Sequence, residues 1–86
     1  TDAYGFSASL VQQAPNLRLG HALVLGAGGA AKAVTYALRE MGFGTISMSN
    51  RSEHKRLPLV QQVIPWAQRS QALGEIDLLV NATSLG

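Results

Sequence analysis

The 86-residue sequence has no cysteine and only 14% charged and 6% aromatic residues. Without cysteine, disulfide frameworks and thiolate metal sites are excluded, which is compatible with a cytoplasmic protein. No apolar run approaches the roughly 20 residues of a membrane-spanning helix, and the first residues lack the layout of a signal peptide. We therefore expect a soluble, cytoplasmic protein without membrane contacts.

The charge of the chain is small, but it is unevenly distributed. A formal net charge of +2 is too low to indicate a nucleic-acid partner. Arg51, Lys55 and Arg56 nevertheless place three cations within six residues. Hydrophobic residues make up 47% of the chain, which predicts one small globular domain and not a disordered tail.

Residues 22–31 read ALVLGAGGAA and organise the rest of the chain. The four leading apolar residues predict a strand buried on both faces, and the glycines after them predict a tight turn. Behind the turn, apolar residues recur at helical spacing as far as Met41, and Gly42 follows as a stop signal. The unit is therefore strand, turn and helix.

Each small residue of this turn has a steric role if the fold binds a dinucleotide. Gly26 permits the sharp turn, Gly28 lets a pyrophosphate approach the backbone, and Ala31 keeps the helix close to the strand. The helix start offers unpaired N–H groups and the positive end of its dipole to an anion. Such turns also occur without a ligand, but the position between a buried strand and an amphipathic helix favours dinucleotide binding.

The rest of the chain alternates strands with helical or irregular segments. We predict a short helix before Pro15, strands over residues 21–25, 45–49, 63–66 and 76–80, a helix over residues 28–41, and a loop or single turn over residues 68–75. The strand over residues 63–66 is expected near a sheet edge because it contains Pro65, and Trp66 at its end is interpreted as a packing residue. The alternation predicts an α/β fold, a Rossmann-like parallel sheet with helices on both faces.

The end of the second predicted strand indicates which dinucleotide is bound. NAD-binding units place a carboxylate there for the ribose 2′-hydroxyl, whereas this chain has Asn50, Arg51 and Ser52. An arginine can hold a 2′-phosphate through charge-assisted bonds. The cations could instead lie on the solvated start of a helix capped by Ser52, but the glycine turn upstream favours a phosphate grip. The sequence therefore predicts NADP, with Lys55 as a second charge.

Three motifs together resemble the shikimate dehydrogenase family. They are the opening TDAYGF of residues 1–6, the GAGGAA turn combined with Asn50-Arg51-Ser52, and the closing VNATSLG of residues 80–86. Their order and spacing are similar to the family's over essentially the whole chain. Glutamyl-tRNA reductases share the turn and an Asn-Arg-Thr-like stretch, but not the opening and closing motifs. The resemblance implies NADP-dependent, reversible reduction of 3-dehydroshikimate to shikimate in aromatic amino acid biosynthesis.

The resemblance also implies roles for individual residues. Asp2 matches an aspartate that binds a substrate hydroxyl and works with a lysine as a catalytic pair, although an aspartate ahead of a helical pattern also commonly caps the helix. The matches to the pyrophosphate turn are Gly26, Ala27, Gly28, Gly29 and Ala30. Those to the adenosine-phosphate grip are Asn50, Arg51, Ser52 and Lys55, and those beside the nicotinamide are Asn81, Ala82, Thr83 and Ser84. In this chain Ser52 stands where threonine is common, and Lys55 where arginine is common.

Members of the family have a separate substrate-binding domain before the opening motif and helices after the closing one, and these 86 residues contain neither. The resemblance implies that the catalytic lysine lies in that domain. Lys32 lies behind the glycine turn and Lys55 belongs to the phosphate grip, so neither is expected to replace it. Residues 1–86 are therefore expected to be the NADP-binding half of a larger enzyme, inactive alone, which shares a small-molecule substrate with the absent domain. We expect a linker helix and turn over residues 1–20 and a nucleotide-binding core over residues 21–86.

Two alternatives to this interpretation stay open. One is a quinate/shikimate dehydrogenase of relaxed specificity, although some relatives of that kind prefer NAD and carry an acid where Arg51 and Ser52 stand. The other is a non-catalytic NADP-binding module with a sensing or regulatory role.

Overall fold

The computed structural model of the chain describes residues 19–52 and 55–83. The predicted helix before Pro15, Asp2 and Ser84 lie outside the described residues. The elements in chain order are β1 (His21–Leu25), α1 (Gly29–Met41), β2 (Thr45–Ser49), β3 (Gln62–Val63), two 3₁₀ helices (Trp66–Gln68 and Gln71–Glu75) and β4 (Leu78–Asn81). The strands form one parallel sheet in the order β3-β2-β1-β4, which confirms the predicted α/β architecture.

Strand β1 is the centre of the sheet and is buried on both faces. Ala22 and Val24 belong to the core cluster beneath α1, whereas Leu23 and Leu25 belong to a second cluster on the opposite face. This arrangement explains why the strand is an unbroken apolar run and not an alternating one. The predicted strand is confirmed with the same bounds.

Helix α1 covers one face of the sheet and ends at a glycine. Ala31, Val34 and Leu38 pack in the core cluster on this face. Gly42 has a left-handed backbone with φ of 102°, its N–H donates to the Arg39 carbonyl at 3.1 Å, and the Phe43 N–H donates to the Leu38 carbonyl at 3.2 Å. This is the Schellman arrangement, which requires a residue without a Cβ penalty at the turn. The predicted stop at Gly42 is therefore confirmed.

The 3₁₀ helices cover the other face of the sheet. Trp66, Ala72 and Ile76 pack against the cluster that contains Leu23 and Leu25. The prediction of a loop or single turn over residues 68–75 agrees with the structure, in which two short 3₁₀ helices and the turn between them occupy residues 66–75. No helix in residues 19–52 or 55–83 is long and apolar enough to cross a membrane.

Strand β3 is shorter than predicted. It ends at Val63, although the Ile64 N–H still donates to the Met48 carbonyl at 2.8 Å. Pro65 has no N–H to continue the ladder, and Trp66 starts a 3₁₀ helix. The predicted position at an edge is confirmed among the described strands, but the extension to Trp66 was wrong.

Strand β4 (Leu78–Asn81) begins later than the strand predicted over residues 76–80, and it is buried at Val80 but not along its whole length. The strand pairs with β1 and lies at the other end of the described sheet, with Leu79 42% exposed. Leu73, on the neighbouring 3₁₀ helix, is 46% exposed. An apolar run alone cannot distinguish a central strand from an outer one, because both satisfy the same periodicity.

The strand order locates a crevice. After β1 the chain builds β2 and β3 on one side, and then returns to place β4 on the other side. In parallel α/β sheets, ligands bind beyond the carboxyl ends of the strands at such a reversal. The loops after β1, β2 and β4 are therefore where a site is expected.

Candidate functional site

A pocket of about 490 Å³ opens at the carboxyl ends of β1, β2 and β4. Its lining comes from the three loops that follow these strands. The lining residues are Gly26, Ala27, Gly28, Asn50, Arg51, Ser52, Lys55, Ala82 and Thr83. Each of them belongs to the set that the sequence predicts as cofactor-binding. The fold therefore brings three separate segments of the chain into one cavity.

Gly26 is held tightly where the ends of three strands meet. Its φ is 116°, a conformation that residues with a Cβ rarely adopt. Its N–H donates to the Ser49 carbonyl at 2.9 Å, which ties the turn to β2. A Cβ at this position would lie 3.3 Å from the carbonyl carbon of Ala82, in the loop after β4. The turn therefore needs glycine for its backbone angle and also for its close approach to Ala82.

Gly26→Ala is expected to lower the free energy of unfolding by about 1 to 3 kcal/mol, since a left-handed non-glycine residue is strained and the new methyl group crowds Ala82. Gly29→Ala is the matched control, because a Cβ there meets nothing within 4 Å. Its stability should be unchanged or slightly higher. Chemical denaturation of both variants measures the difference, and equal stabilities would contradict the strain at Gly26.

The start of α1 presents an uncapped helix end to this pocket. Gly28 is the N-cap residue and supplies no side-chain hydrogen bond, and the first turn of the helix contains no acidic residue. Backbone N–H groups at such an end have no intrahelical partner, and they carry the positive end of the helix dipole. This arrangement suits an anion, and the pocket reaches it through Ala27 and Gly28.

The loop after β2 brings positive charge to the pocket. The side-chain amide of Asn50 donates to the Ser52 carbonyl at 3.1 Å, and the Lys55 N–H donates to the same carbonyl at 3.1 Å. Farther along, Leu57 is buried and its N–H contacts the Met48 sulfur at 3.1 Å, which anchors the loop to the core. Among the residues that the structure describes, which leave out positions 53 and 54, the pocket lining includes two cations, Arg51 and Lys55, and no carboxylate. Its electrostatic character therefore favours an anionic ligand.

The loop after β4 forms the third side of the pocket. The Ala82 N–H donates to the Leu25 carbonyl at 2.9 Å, which extends the pairing of β4 with β1 past the strand end. The Asn81 side-chain oxygen accepts the Thr83 N–H at 3.1 Å and the Thr83 hydroxyl at 2.6 Å. Asn81 thus fixes the turn that places Thr83 at the pocket, although Asn81 itself is not part of the lining.

Other predicted site residues lie beside the pocket or beyond the described part of the chain. Ala30 lies in the first turn of α1 and does not line the pocket. Gly29 lines a second depression of about 470 Å³ on the α1 side of the turn, together with Lys32, Tyr36 and Arg56. Asp2 and Ser84 fall outside the described residues, so their predicted roles stay predictions.

Two residues next to the site were not included in the sequence-based set. The Arg51 guanidinium carbon lies over the Trp66 ring, 5.6 Å from its centroid, and that of Arg69 lies 3.8 Å from the same centroid. Trp66 was interpreted as a packing residue, and it does pack against the second core cluster. Trp66 follows β3 at the same edge of the sheet at which Arg51 follows β2, and this placement is the signal that could have associated Trp66 with the site.

Comparison with known proteins gives relatives over the whole chain. Shikimate dehydrogenase (NADP(+)) from Bartonella henselae is 42% identical, and the match covers 100% of this chain and 31% of the relative. The proteins of the same name from Acidiphilium cryptum and Nitrobacter winogradskyi are 44% and 45% identical, with 32% and 33% of their lengths covered. The chain thus spans about a third of the length of these relatives. No family model matches the chain.

Among solved structures, quinate dehydrogenase from Corynebacterium glutamicum in complex with NAD has a similar fold. The TM-score is 0.81 at 24% identity, over 96% of this chain and 33% of that one. This likeness supports the Rossmann-like architecture of the described residues. The sequence relationship is closer and extends from one end of the chain to the other. Over its whole length the chain is thus similar to about a third of the length of proteins named shikimate dehydrogenase (NADP(+)).

Proposed function

We propose that this chain is the NADP-binding portion of a shikimate dehydrogenase, an enzyme that reversibly reduces 3-dehydroshikimate to shikimate. The observation that carries the proposal is the single pocket formed by the glycine turn, the Arg51 loop and Thr83. The relatives named shikimate dehydrogenase (NADP(+)) support it over the full length of the chain.

The glycine turn and the start of α1 fit a pyrophosphate. Gly28 has no side chain to obstruct an approaching anion, and it precedes the uncapped N–H groups of α1. Gly26 brings this turn against Ala82, so the cavity is shaped by backbone on two sides. Gly26, Ala27, Gly28, Gly29 and Ala30 are the residues proposed to surround the pyrophosphate.

The loop after β2 fits an adenosine that carries a 2′-phosphate. Arg51 and Lys55 supply two positive charges at the pocket, and the described part of its lining contains no carboxylate that would repel the phosphate. The Ser52 hydroxyl is proposed as a further hydrogen-bonding group, and Asn50 holds the turn through its bond to the Ser52 carbonyl. This chemistry favours NADP over NAD.

The loop after β4 is proposed to pass beside the nicotinamide. Ala82 is buried and Thr83 is exposed at the pocket, while Asn81 orients Thr83. Ser84 continues this segment in the proposal. When bound beside these residues, the cofactor would supply hydride chemistry at the substrate carbonyl, where reduction would leave negative charge on the oxygen.

A proton donor must neutralise that charge. We infer that Asp2 binds a substrate hydroxyl and pairs with a lysine from a separate substrate-binding domain, which together supply the proton. Residues 1–20 are proposed as a linker and residues 21–86 as the nucleotide-binding core, in a cytoplasmic enzyme whose small-molecule substrate is shared between domains. Without that domain the chain is expected to bind the cofactor and not to turn over shikimate.

The test is the oxidation of shikimate by the intact protein, with NADP or NAD as oxidant and formation of the reduced cofactor followed by absorbance. We expect turnover with shikimate and a clear preference for NADP. Quinate serves as the alternative substrate, and comparable turnover of quinate would instead indicate relaxed specificity. Tight NADP binding without turnover of either substrate would contradict the enzyme proposal and indicate a binding module.

A further inference from the structure

The sheet places Trp66 beside Arg51. Strand β3 pairs with β2 in parallel, with Met48 opposite Val63, so the residues that follow the two strands emerge at the same edge. The bond from the Ile64 N–H to the Met48 carbonyl keeps this alignment just past the strand end. Pro65 and the 3₁₀ turn then bring the indole ring to the Arg51 guanidinium, 5.6 Å from the ring centroid.

The ring itself is held firmly. Its apolar surface packs against the cluster of Leu23, Leu25 and Ile64. Arg69 stacks over the ring at 3.8 Å, and its guanidinium Nη1 donates to the Trp66 carbonyl at 2.5 Å. The Arg69 backbone N–H donates to the same carbonyl at 3.3 Å. A ring fixed in these ways can serve as a platform for a more mobile side chain.

Arg51 needs such a platform. It is exposed at the pocket, and a long side chain in solvent has many rotamers that a ligand must freeze. The Trp66 ring is a charge-attracting group that the Arg51 guanidinium contacts. The negative face of an aromatic ring attracts a guanidinium without using its N–H donors. Those donors stay available for a phosphate, which they bind in a forked pair.

We propose that Trp66 is a positioning residue that holds the Arg51 guanidinium at the pocket and thereby strengthens the preference for a 2′-phosphorylated adenosine. This inference rests on the proposed function, because it assumes that Arg51 binds that phosphate. Trp66 acts through Arg51 and not by touching the cofactor.

Two variants of the intact protein separate the π face of the ring from its packing. Both Trp66→Phe and Trp66→Leu reduce the apolar volume of the side chain, but Trp66→Phe keeps an aromatic face and Trp66→Leu does not. The ligands are adenosine 2′,5′-bisphosphate and adenosine 5′-monophosphate, which differ by the 2′-phosphate, and calorimetry measures their affinities. Trp66→Leu should weaken binding of the bisphosphate by about two- to fivefold and leave the monophosphate unchanged. Trp66→Phe should retain most of the preference.

The dependence on Arg51 is tested by combining variants. In an Arg51→Ala background, Trp66→Leu should cause no further loss of bisphosphate affinity, because the interaction has already been removed. Equal losses for both ligands, or a further loss in that background, would overturn the inference and indicate that the ring contacts adenine or shapes the pocket. If the wild type prefers the bisphosphate and Trp66→Leu keeps that preference, this inference alone fails. If the wild type itself binds both ligands equally, the proposed function fails with it.

Discussion

Replacing Arg51 with aspartate is expected to lower the affinity of the intact protein for NADP by about two or more powers of ten, with a much smaller effect on NAD. Each charge-assisted bond to the 2′-phosphate contributes about 1.5 to 3 kcal/mol, and the substitution removes a forked pair of them. The new carboxylate also repels the phosphate, while it can accept a hydrogen bond from the 2′-hydroxyl of NAD. Calorimetric titration with the two dinucleotides measures the change in preference.

Arg56→Asp provides the matched control, because it makes the same change of charge in the same loop. Arg56 is exposed, does not line the pocket, and donates through its guanidinium to the Val60 carbonyl at 3.1 Å. Its replacement should lower the affinity for NADP much less than Arg51→Asp does and should affect NADP and NAD alike, because Arg56 borders the depression beside Gly29 and not the pocket that contains Arg51. Equal losses of NADP and NAD affinity in Arg51→Asp would refute the phosphate grip.

For Asp2→Asn we expect turnover of shikimate to fall by about a hundredfold or more, with almost unchanged affinity for NADP. The proposed partner of Asp2 is a lysine that supplies a proton, and removal of general acid–base assistance typically costs about 10²- to 10⁴-fold in rate. The amide has the shape of the carboxylate but carries no charge to hold the lysine. Steady-state kinetics of the intact enzyme, combined with calorimetry for NADP, test this expectation.

The same substitution separates catalysis from helix capping. Asparagine and aspartate are about equally good N-caps, so Asp2→Asn preserves a cap and should leave the melting temperature unchanged. Asp2→Ala removes both functions and serves as the second variant. Full turnover in Asp2→Asn together with lower stability in Asp2→Ala would mean that Asp2 is a cap and that the catalytic assignment is wrong.

The first half of the described fold could be predicted from the sequence because its signals are local. Strand β1 is an unbroken apolar run, the helix after it has a regular apolar stripe, and Gly42 supplies the left-handed residue that ends it. The second half depends on contacts that are distant in sequence. Whether a run such as residues 76–80 is central or outermost is decided by what pairs with it, and periodicity does not contain that information.

The residues of the candidate site also fall into two groups, those with a local sequence signal and those placed by contacts that are distant in sequence. Gly26 and Arg51 could be selected because each has a chemical reason to be in a known position relative to a strand end. Trp66 could not, since its nearness to Arg51 arises from the pairing of β3 with β2 and from the turn at Pro65. The sequence showed an aromatic residue in an apolar segment, for which packing was the simplest interpretation. Packing is indeed part of what the ring does.

The position of β4 has a consequence for the behaviour of the described unit in isolation. In the part of the chain that the structure describes, no strand pairs with the outer side of β4, and Leu79 and Leu73 leave apolar surface nearby. Unpaired N–H and C=O groups on such an edge are a template for another strand. A preparation restricted to residues 19–83 would therefore tend to self-associate as its concentration rises, and a further strand of the same protein hydrogen-bonded to β4 would suppress this.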